Sequence, residues 1–356
     1  MYKKFLFINP FGVGDVLFTT PLIRAIKDNI PDSTIGYWCN ERVVDLLRGH
    51  KRIDRVFALS RGDLKKIFQV SKLQGAKRFL SLSQDLMRER FEAALDFSLD
   101  HRYSLMAKFL GIRKRIGLNY KNRGRFLTER IDIEGYDGKH VVEYYLDLLK
   151  FLKIAPKDNR LDLTVSDKDL NKAQELLEEA GVKVKDLVIG IVPGAGASWG
   201  KDASYKHWPA QDFAHLADNL ISSLKAKVLI LGDLQERPIA DIMTGRMSNK
   251  PLDLVGKTTL GELAGIIRRL KILITNDGGP LHIAAAEGIN TVSIFGPVDD
   301  VVYGPYPPSQ NHIVIKQGLD CQPCYRRFKL GVCKTNRQCL TSITQEQVFE
   351  AVRRLL

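Results

Sequence analysis

No apolar run in the chain approaches the roughly 18 residues that a bilayer-spanning helix needs. The opening MYKKFLFINP holds a run of four apolar residues before Asn9 and Pro10, too short for a signal-peptide core. The expectation is a cytoplasmic protein, with peripheral membrane contact left open. No stretch has the composition of a disordered or low-complexity segment, and no short-period repeat is visible. RNP, KH and helix-turn-helix signatures are missing too, so a nucleic-acid-binding module has charge alone in its favour and no specific nucleic acid is predicted. Cysteine is scarce, five in 356 residues, but four of the five stand close together near the end.

What is present suits a two-domain globular protein. The chain is longer than the roughly 250–300 residues at which one hydrophobic core stops growing. Its apolar fraction of 44% and charged fraction of 27% are ordinary for a folded protein. The net charge of +13 is unevenly spread: residues 1–160 hold 31 Lys+Arg against 19 Asp+Glu, and residues 161–356 hold 23 against 22. A first half with nearly all the excess suggests an anionic partner there, whether nucleic acid, a lipid surface or a phosphorylated substrate.

Short apolar runs alternate with longer amphipathic ones, the rhythm of a parallel sheet covered on both faces. In the first half FLFIN, TIGYWC, RVFAL and AALDFS read as strands, and Asp15–Asn29, Glu41–Arg48, Arg102–Leu110 and Val141–Leu152 as helices. KIAPKDNRLDLTVS reads as an interdomain linker. The rhythm then restarts with LVIGIVPG, KVLILG, LKILITND and NTVSIFGP, and TQEQVFEAVRRLL closes the chain as an amphipathic helix. Two Rossmann-like α/β domains follow, with ligands expected beyond the carboxyl ends of the strands.

The loops at those ends carry the chemistry. NPFGVGDVLFTTP has Gly12 and Gly14 but Leu17 where a third glycine would complete G-x-G-x-x-G, which argues against a dinucleotide. Its Asp15 stands at a helix start, as a cap or as a general base. VPGAGASWGKDASYKHWP offers backbone amides and Lys206 to a diphosphate without being a P-loop. In NDGGPLHIAAAEG, Gly278 and Gly279 let a ligand approach the backbone, and the first-turn amides of the following helix favour phosphate. His282 lies in that turn, to donate to a phosphate oxygen or simply to pack, and Asp277 is expected to hold amides or sugar hydroxyls. Gly296–Pro297 is either a turn or the wall of a nucleotide site. The four cysteines Cys321, Cys324, Cys333 and Cys339 are spaced C-x2-C-x8-C-x5-C, which in a cytoplasmic protein favours a structural zinc clip over disulfides. GIRKRIGLNYKNRGRFLT packs six basic residues beside Tyr120 and Phe126, either a solvated loop or a contact for an anionic sugar, lipid headgroup or nucleic acid.

FGVGDVLFTTPLIRAIK, PGAGASWGKDASYKHWP and TNDGGPLHIAAAEGINTVSIFGP with the following GPY resemble glycosyltransferase family 9, the ADP-heptose lipopolysaccharide heptosyltransferases. The resemblance covers nearly the whole chain, and the terminal CQPC…C…CLTSIT looks like tails common in that family. It implies the GT-B fold, an α/β architecture of two Rossmann-like domains with a cleft between them. Residues 1–160 would bind acceptor, 161–340 the nucleotide sugar, and 341–356 would form a helix packing back toward the first domain. The implied reaction is an inverting, metal-independent transfer of heptose from ADP-heptose to a phosphorylated, lipid-linked lipopolysaccharide core acceptor of the lipid A-Kdo type at the cytoplasmic face of the inner membrane. No cofactor is required for catalysis, and structural zinc is the one metal the sequence suggests.

Carried over by motif, Asp15 is the catalytic base and Gly194, Ser198, Lys206, Asp277, Gly278, Gly279 and His282 bind donor. Gly12, Gly14, Arg113, Arg115, Lys121 and Arg123 are the expected acceptor contacts. The loop from Gly194 to Lys206 is long, which leaves its hydroxyl contact open between Ser198 and Ser204, and the nucleoside contact after VLILGD falls on Asp233, Gln235 or Glu236. The rival readings are a GT-B transferase or epimerase using another sugar nucleotide, and a nonenzymatic nucleic-acid-binding module.

Overall fold

A computed structural model describes residues 2–356, the side chains of residues 197, 198 and 201 excepted. The chain divides into two compact units, Met1–Tyr136 with Val141–Thr164, and Asp137–His140 with Val165–Leu356. The first unit holds β1 (Lys4–Asn9), β2 (Thr34–Cys39), β3 (Arg55–Ala58), β4 (Ala93–Asp96), β5 (Lys114–Tyr120) and β6 (Glu129–Ile133). They pair in parallel in the order β3-β2-β1-β4-β5-β6. The second holds β7 (Val188–Val192), β8 (Lys227–Ile230), β9 (Leu252–Asp253), β10 (Ile272–Asn276), β11 (Asn290–Ile294) and β12 (His312–Ile315), parallel in the order β12-β11-β10-β7-β8-β9. Counted from its own first strand, each sheet has the order 3-2-1-4-5-6, and each therefore reverses direction once, at β1/β4 and at β7/β10.

Every residue of β7 and β10 is buried, as are five of the six in β1. Such runs lack polar alternation because helices cover both faces. The predicted helix Asp15–Asn29 is instead two, Val13–Leu17 and Thr20–Asn29. Pro21 has no N–H to continue the ladder, and the hydroxyls of Thr19 and Thr20 bond back to the carbonyls of Val16 and Leu17 at 2.7 and 2.6 Å. Unforeseen are the helices Arg61–Val70 and Lys72–Glu89 and the strands β5, β6, β9 and β12.

The segment read as a linker is fastened to the first unit. Arg24 reaches Asp158 at 3.1 Å and Asp162 at 3.6 Å, Arg52 pairs with Asp162, and the Asp162 amide donates to Thr20 Oγ1 at 2.8 Å. The final helix, Gln345–Leu355, buries Val348, Ala351 and Val352 in the second unit's core, alongside Trp208, Phe213 and Leu220. Among the described residues no helix is long and apolar enough to cross a membrane.

Candidate functional site

In the second unit, the residues singled out from sequence gather where β7 and β10 run side by side. Asn276 ends β10, and its buried side-chain amide donates to the carbonyls of Pro193 and Gly194 at 2.8 and 3.0 Å. Its Oδ1 accepts from the Trp208 amide at 3.0 Å. One side chain thus clamps the loop after β7 at both ends. The loop brings Lys206 to rest at 6% exposure, with Nζ 2.6 Å from Asp277 Oδ2 and 4.8 Å from the centre of the Trp199 ring. Trp199 in turn packs on Tyr325, ring centres 4.8 Å apart. Asp277 was expected to hold amides or sugar hydroxyls, but its carboxylate is committed to the lysine.

Glycine lets these loops close on one another. A Cβ on Gly278 would stand 3.0 Å from the Ala195 carbonyl oxygen, and one on Gly194 would stand 1.7 Å from Glu236 Oε1. Glu236 accepts from the amides of Gly196 and Asp233 at 2.9 and 3.0 Å, and burial lifts its carboxyl above the usual range. Of the three candidates after VLILGD, Asp233 caps the short turn Leu234–Glu236, Gln235 is exposed, and Glu236 alone is tied to the Gly194–Gly196 loop. Ser198 lies outside the described side chains.

The helix Gly279–Ala286 begins beside this pair. Gly278 is its N-cap, Pro280 lies in its first turn, and no side chain caps it. Its amino end therefore offers backbone N–H groups and the positive pole of its dipole. His282 is 4% exposed. Burial first, and then His140 and Lys206 nearby, hold its imidazole down to about 3, so at neutral pH it offers one N–H and no positive charge. His140 has no motif to announce it. Its Nε2 donates to the Gly304 carbonyl at 3.1 Å, its ring stacks on Tyr306, and burial lowers it to about 4.

Both rings titrate near 6.5 in an unfolded chain, so below that pH the unfolded state binds more protons than the folded one. The stability gained from keeping them neutral is complete above about 6.5 and is lost as pH falls toward about 4 for His140 and about 3 for His282, by up to ~1.4 kcal/mol per pH unit for each imidazole. Nitrogen-15 NMR of the folded protein at pH 5 should give neutral-ring shifts for His282, and a cationic signature there would contradict this burial.

In the first unit the loop after β1 is tied by two asparagines. Asn9 Nδ2 donates to the Asp15 carbonyl at 2.9 Å, and Asn40 Nδ2 donates to the carbonyls of Pro10 and Phe11. Gly12 is the N-cap of Val13–Leu17, so Asp15 lies inside the first turn and is not the cap residue. It is half-buried, and its charge helps to push the buried phenols of Tyr37 and Tyr145 up, after burial itself. Gly14 lies in the same turn, and a Cβ on Gly12 would meet open space.

The basic stretch is not one loop. Residues 114–120 form β5, and Lys121 and Arg123 follow its carboxyl end, each over the Tyr120 ring at 5.0 and 5.8 Å. That is the sheet edge that carries Asp15. Arg113 precedes the strand and Arg115 is its second residue, so both lie at the opposite edge. Arg115 also spends its guanidinium on the Phe126 carbonyl at 2.6 Å and on the Ile112 carbonyl. Arg113 and Arg115 therefore stand about a strand length, some 20 Å, from the carboxyl edge that carries Asp15, Lys121 and Arg123.

Gly296 and Pro297 anchor the cysteine segment. The Gly296 carbonyl accepts from Gln322 Nε2 at 2.8 Å, the Pro297 carbonyl accepts from the Tyr325 amide at 2.9 Å, and Leu340 fills the space beside Gly296. Among the described residues no three of His, Cys, Asp and Glu are arranged to hold a metal. The thiols are nonetheless neighbours. Burial and then the charges of Cys321 and Cys333 raise Cys324, burial pushes Cys339 up to about 11, and the Arg337 amide lowers Cys333 from 3.2 Å.

The family model described as glycosyltransferase family 9 (heptosyltransferase) matches residues 79–332. Lipopolysaccharide heptosyltransferase 3 of Escherichia coli K12 is 26% identical over 350 residues, 96% of this chain and 95% of that protein. A crystal structure of a family 9 glycosyl transferase from Veillonella parvula superposes with a TM-score of 0.83 at 24% identity, covering 99% of this chain and 97% of that one. The Escherichia coli heptosyltransferase WaaC with ADP superposes with a TM-score of 0.73 at 17% identity, covering 99% of this chain and 100% of that one. The architecture is GT-B.

Proposed function

Since the chain belongs to glycosyltransferase family 9 and is a glycosyltransferase, we propose that it moves heptose from ADP-heptose to a lipopolysaccharide core acceptor, with inversion and without a catalytic metal. The observation that carries this reading is the buried Lys206 held by Asp277 at the amino end of an uncapped, glycine-led helix. A diphosphate placed there meets backbone N–H groups, one ammonium and a neutral His282, fixed donors that stabilise the departing nucleotide as its charge develops. Gly194 and Gly278 let the surrounding loops close tightly enough to present these donors. The names of the relatives, lipopolysaccharide heptosyltransferases, support the choice of sugar and acceptor, and the solved relative with ADP supports the base.

In this reading Asp15, in the first unit, takes the proton of the acceptor hydroxyl as that oxygen forms the new bond to the anomeric carbon and ADP leaves. Lys121 and Arg123, with Gly12 and Gly14 opening the loop, meet the phosphorylated acceptor, which is lipid-linked and encountered at the cytoplasmic face of the inner membrane. Four thiolates leave no open coordination position, so a zinc held by Cys321, Cys324, Cys333 and Cys339 would brace that segment and take no part in transfer.

Calorimetry with ADP, UDP and GDP tests the donor site. ADP should bind preferentially, and Lys206→Ala should weaken it by about 1.5–3 kcal/mol, the worth of a hydrogen bond to a charged group. His282→Ala should weaken it less, because a neutral ring supplies one N–H. Preference for UDP or GDP would favour a transferase or epimerase of another sugar nucleotide, and no binding to any of the three would sink the assignment.

A further inference from the structure

The helices Arg61–Val70 and Lys72–Glu89 form a hairpin that the proposed chemistry does not use. The first buries no residue fully. The second buries one stripe, Gly75, Leu82 and Leu86, with Leu82 and Leu86 in the core with Trp38, Phe57 and Phe91. It also carries another apolar stripe that faces water: Leu73, Leu80 and Met87 are 81%, 58% and 51% exposed. These are spaced by seven residues, so they line one helix face over about 21 Å. Val70, 84% exposed, ends the first helix just before this stripe, while Phe68, 40% exposed, sets its ring against Gly75 of the packed stripe. Single exposed apolar residues are ordinary, but three in register on one helix face, with Val70 exposed just before them, need an explanation.

Charge identifies the occupant. Residues 61–90 hold eight Lys and Arg against three acids, and the three acids are engaged. Asp63 caps its own helix, Asp85 pairs with Arg88, and Glu89 pairs with Arg55. Lys65, Lys66, Lys72 and Lys77 are exposed and have no ion pair among the described residues. A protein partner would be expected to present a matching acidic and apolar surface. An anionic bilayer supplies both without any such match, because leucine and methionine enter the acyl boundary while lysines meet the headgroups.

We propose that this hairpin is the face by which the protein docks on an anionic lipid surface. The inference rests on the proposed reading in that a lipid-linked acceptor brings the enzyme to a membrane, and it adds which residues make the contact. Flotation of the full chain with vesicles of phosphatidylglycerol and of phosphatidylcholine tests it, alongside ADP calorimetry on the same samples. Binding to phosphatidylglycerol should exceed binding to phosphatidylcholine and weaken with salt. L73S/L80S/M87S, and separately K65Q/K66Q/K72Q/K77Q, should each lower it at least about tenfold, given roughly fivefold per charge, with ADP affinity unchanged. Wild-type protein that binds ADP but not vesicles, variants that float like wild type, or a dimer dissolved by the apolar substitutions would each overturn the docking face. Vesicle binding without ADP binding would instead remove the donor reading and leave this face standing.

Discussion

Asp277→Ala should cost the second unit about 3–5 kcal/mol in urea unfolding, because it strands a lysine that is 6% exposed without its counter-charge. The pair itself contributes less than that figure, since two ions removed from water gain only part of their desolvation back. Lys206→Met with Asp277→Leu should therefore recover most of the loss, and a double-mutant cycle separates coupling from packing. ADP should raise the melting temperature of Asp277→Ala more than that of the wild type, because a diphosphate restores negative charge beside Lys206. An equal or smaller rise in the variant would place the nucleotide away from this lysine.

Asp15→Asn should lower kcat by roughly 10²–10⁴, the usual worth of a positioned general base, while ADP affinity stays as it was. Asparagine keeps the size and much of the hydrogen bonding of the carboxylate but takes no proton. The assay is ADP release from ADP-heptose with a lipid-linked acceptor, followed across pH. Loss of the acid limb of the kcat profile along with the rate is the expected pattern. A variant within about tenfold of wild type would leave Asp15 the role of a negative charge in a helix's first turn.

The strands with unbroken apolar cores were readable because burial on both faces leaves no polar alternation to confuse them, and TIGYWC is β2 residue for residue. β5 was hidden by its own start: Lys114 and Arg115 look like the middle of a basic loop, although Ile116–Tyr120 is wholly buried. The hairpin of residues 61–89 was hidden by an excess of apolar residues outside its packed stripe. In the site, the residues carried by motif, Lys206, Asp277 and His282, do come together. Asn276 and His140 had no such signal. Asn276 acts on backbone carbonyls 82 and 83 positions away, and His140 acts on a carbonyl 164 positions away, distances over which no local pattern in a sequence can speak.

That last contact bears on how the chain can be divided. Asp137–His140 clusters with the second unit although residues on both sides of it belong to the first, so the polypeptide changes unit three times. Cutting at Thr164 would not release an intact second half. The piece beginning at Val165 would lack the ring that lies on Tyr306 and caps the Gly304 carbonyl. Dissection of this enzyme therefore calls for complementation by a short peptide spanning residues 137–140, or for a circular permutant that keeps those four residues joined to the part they complete.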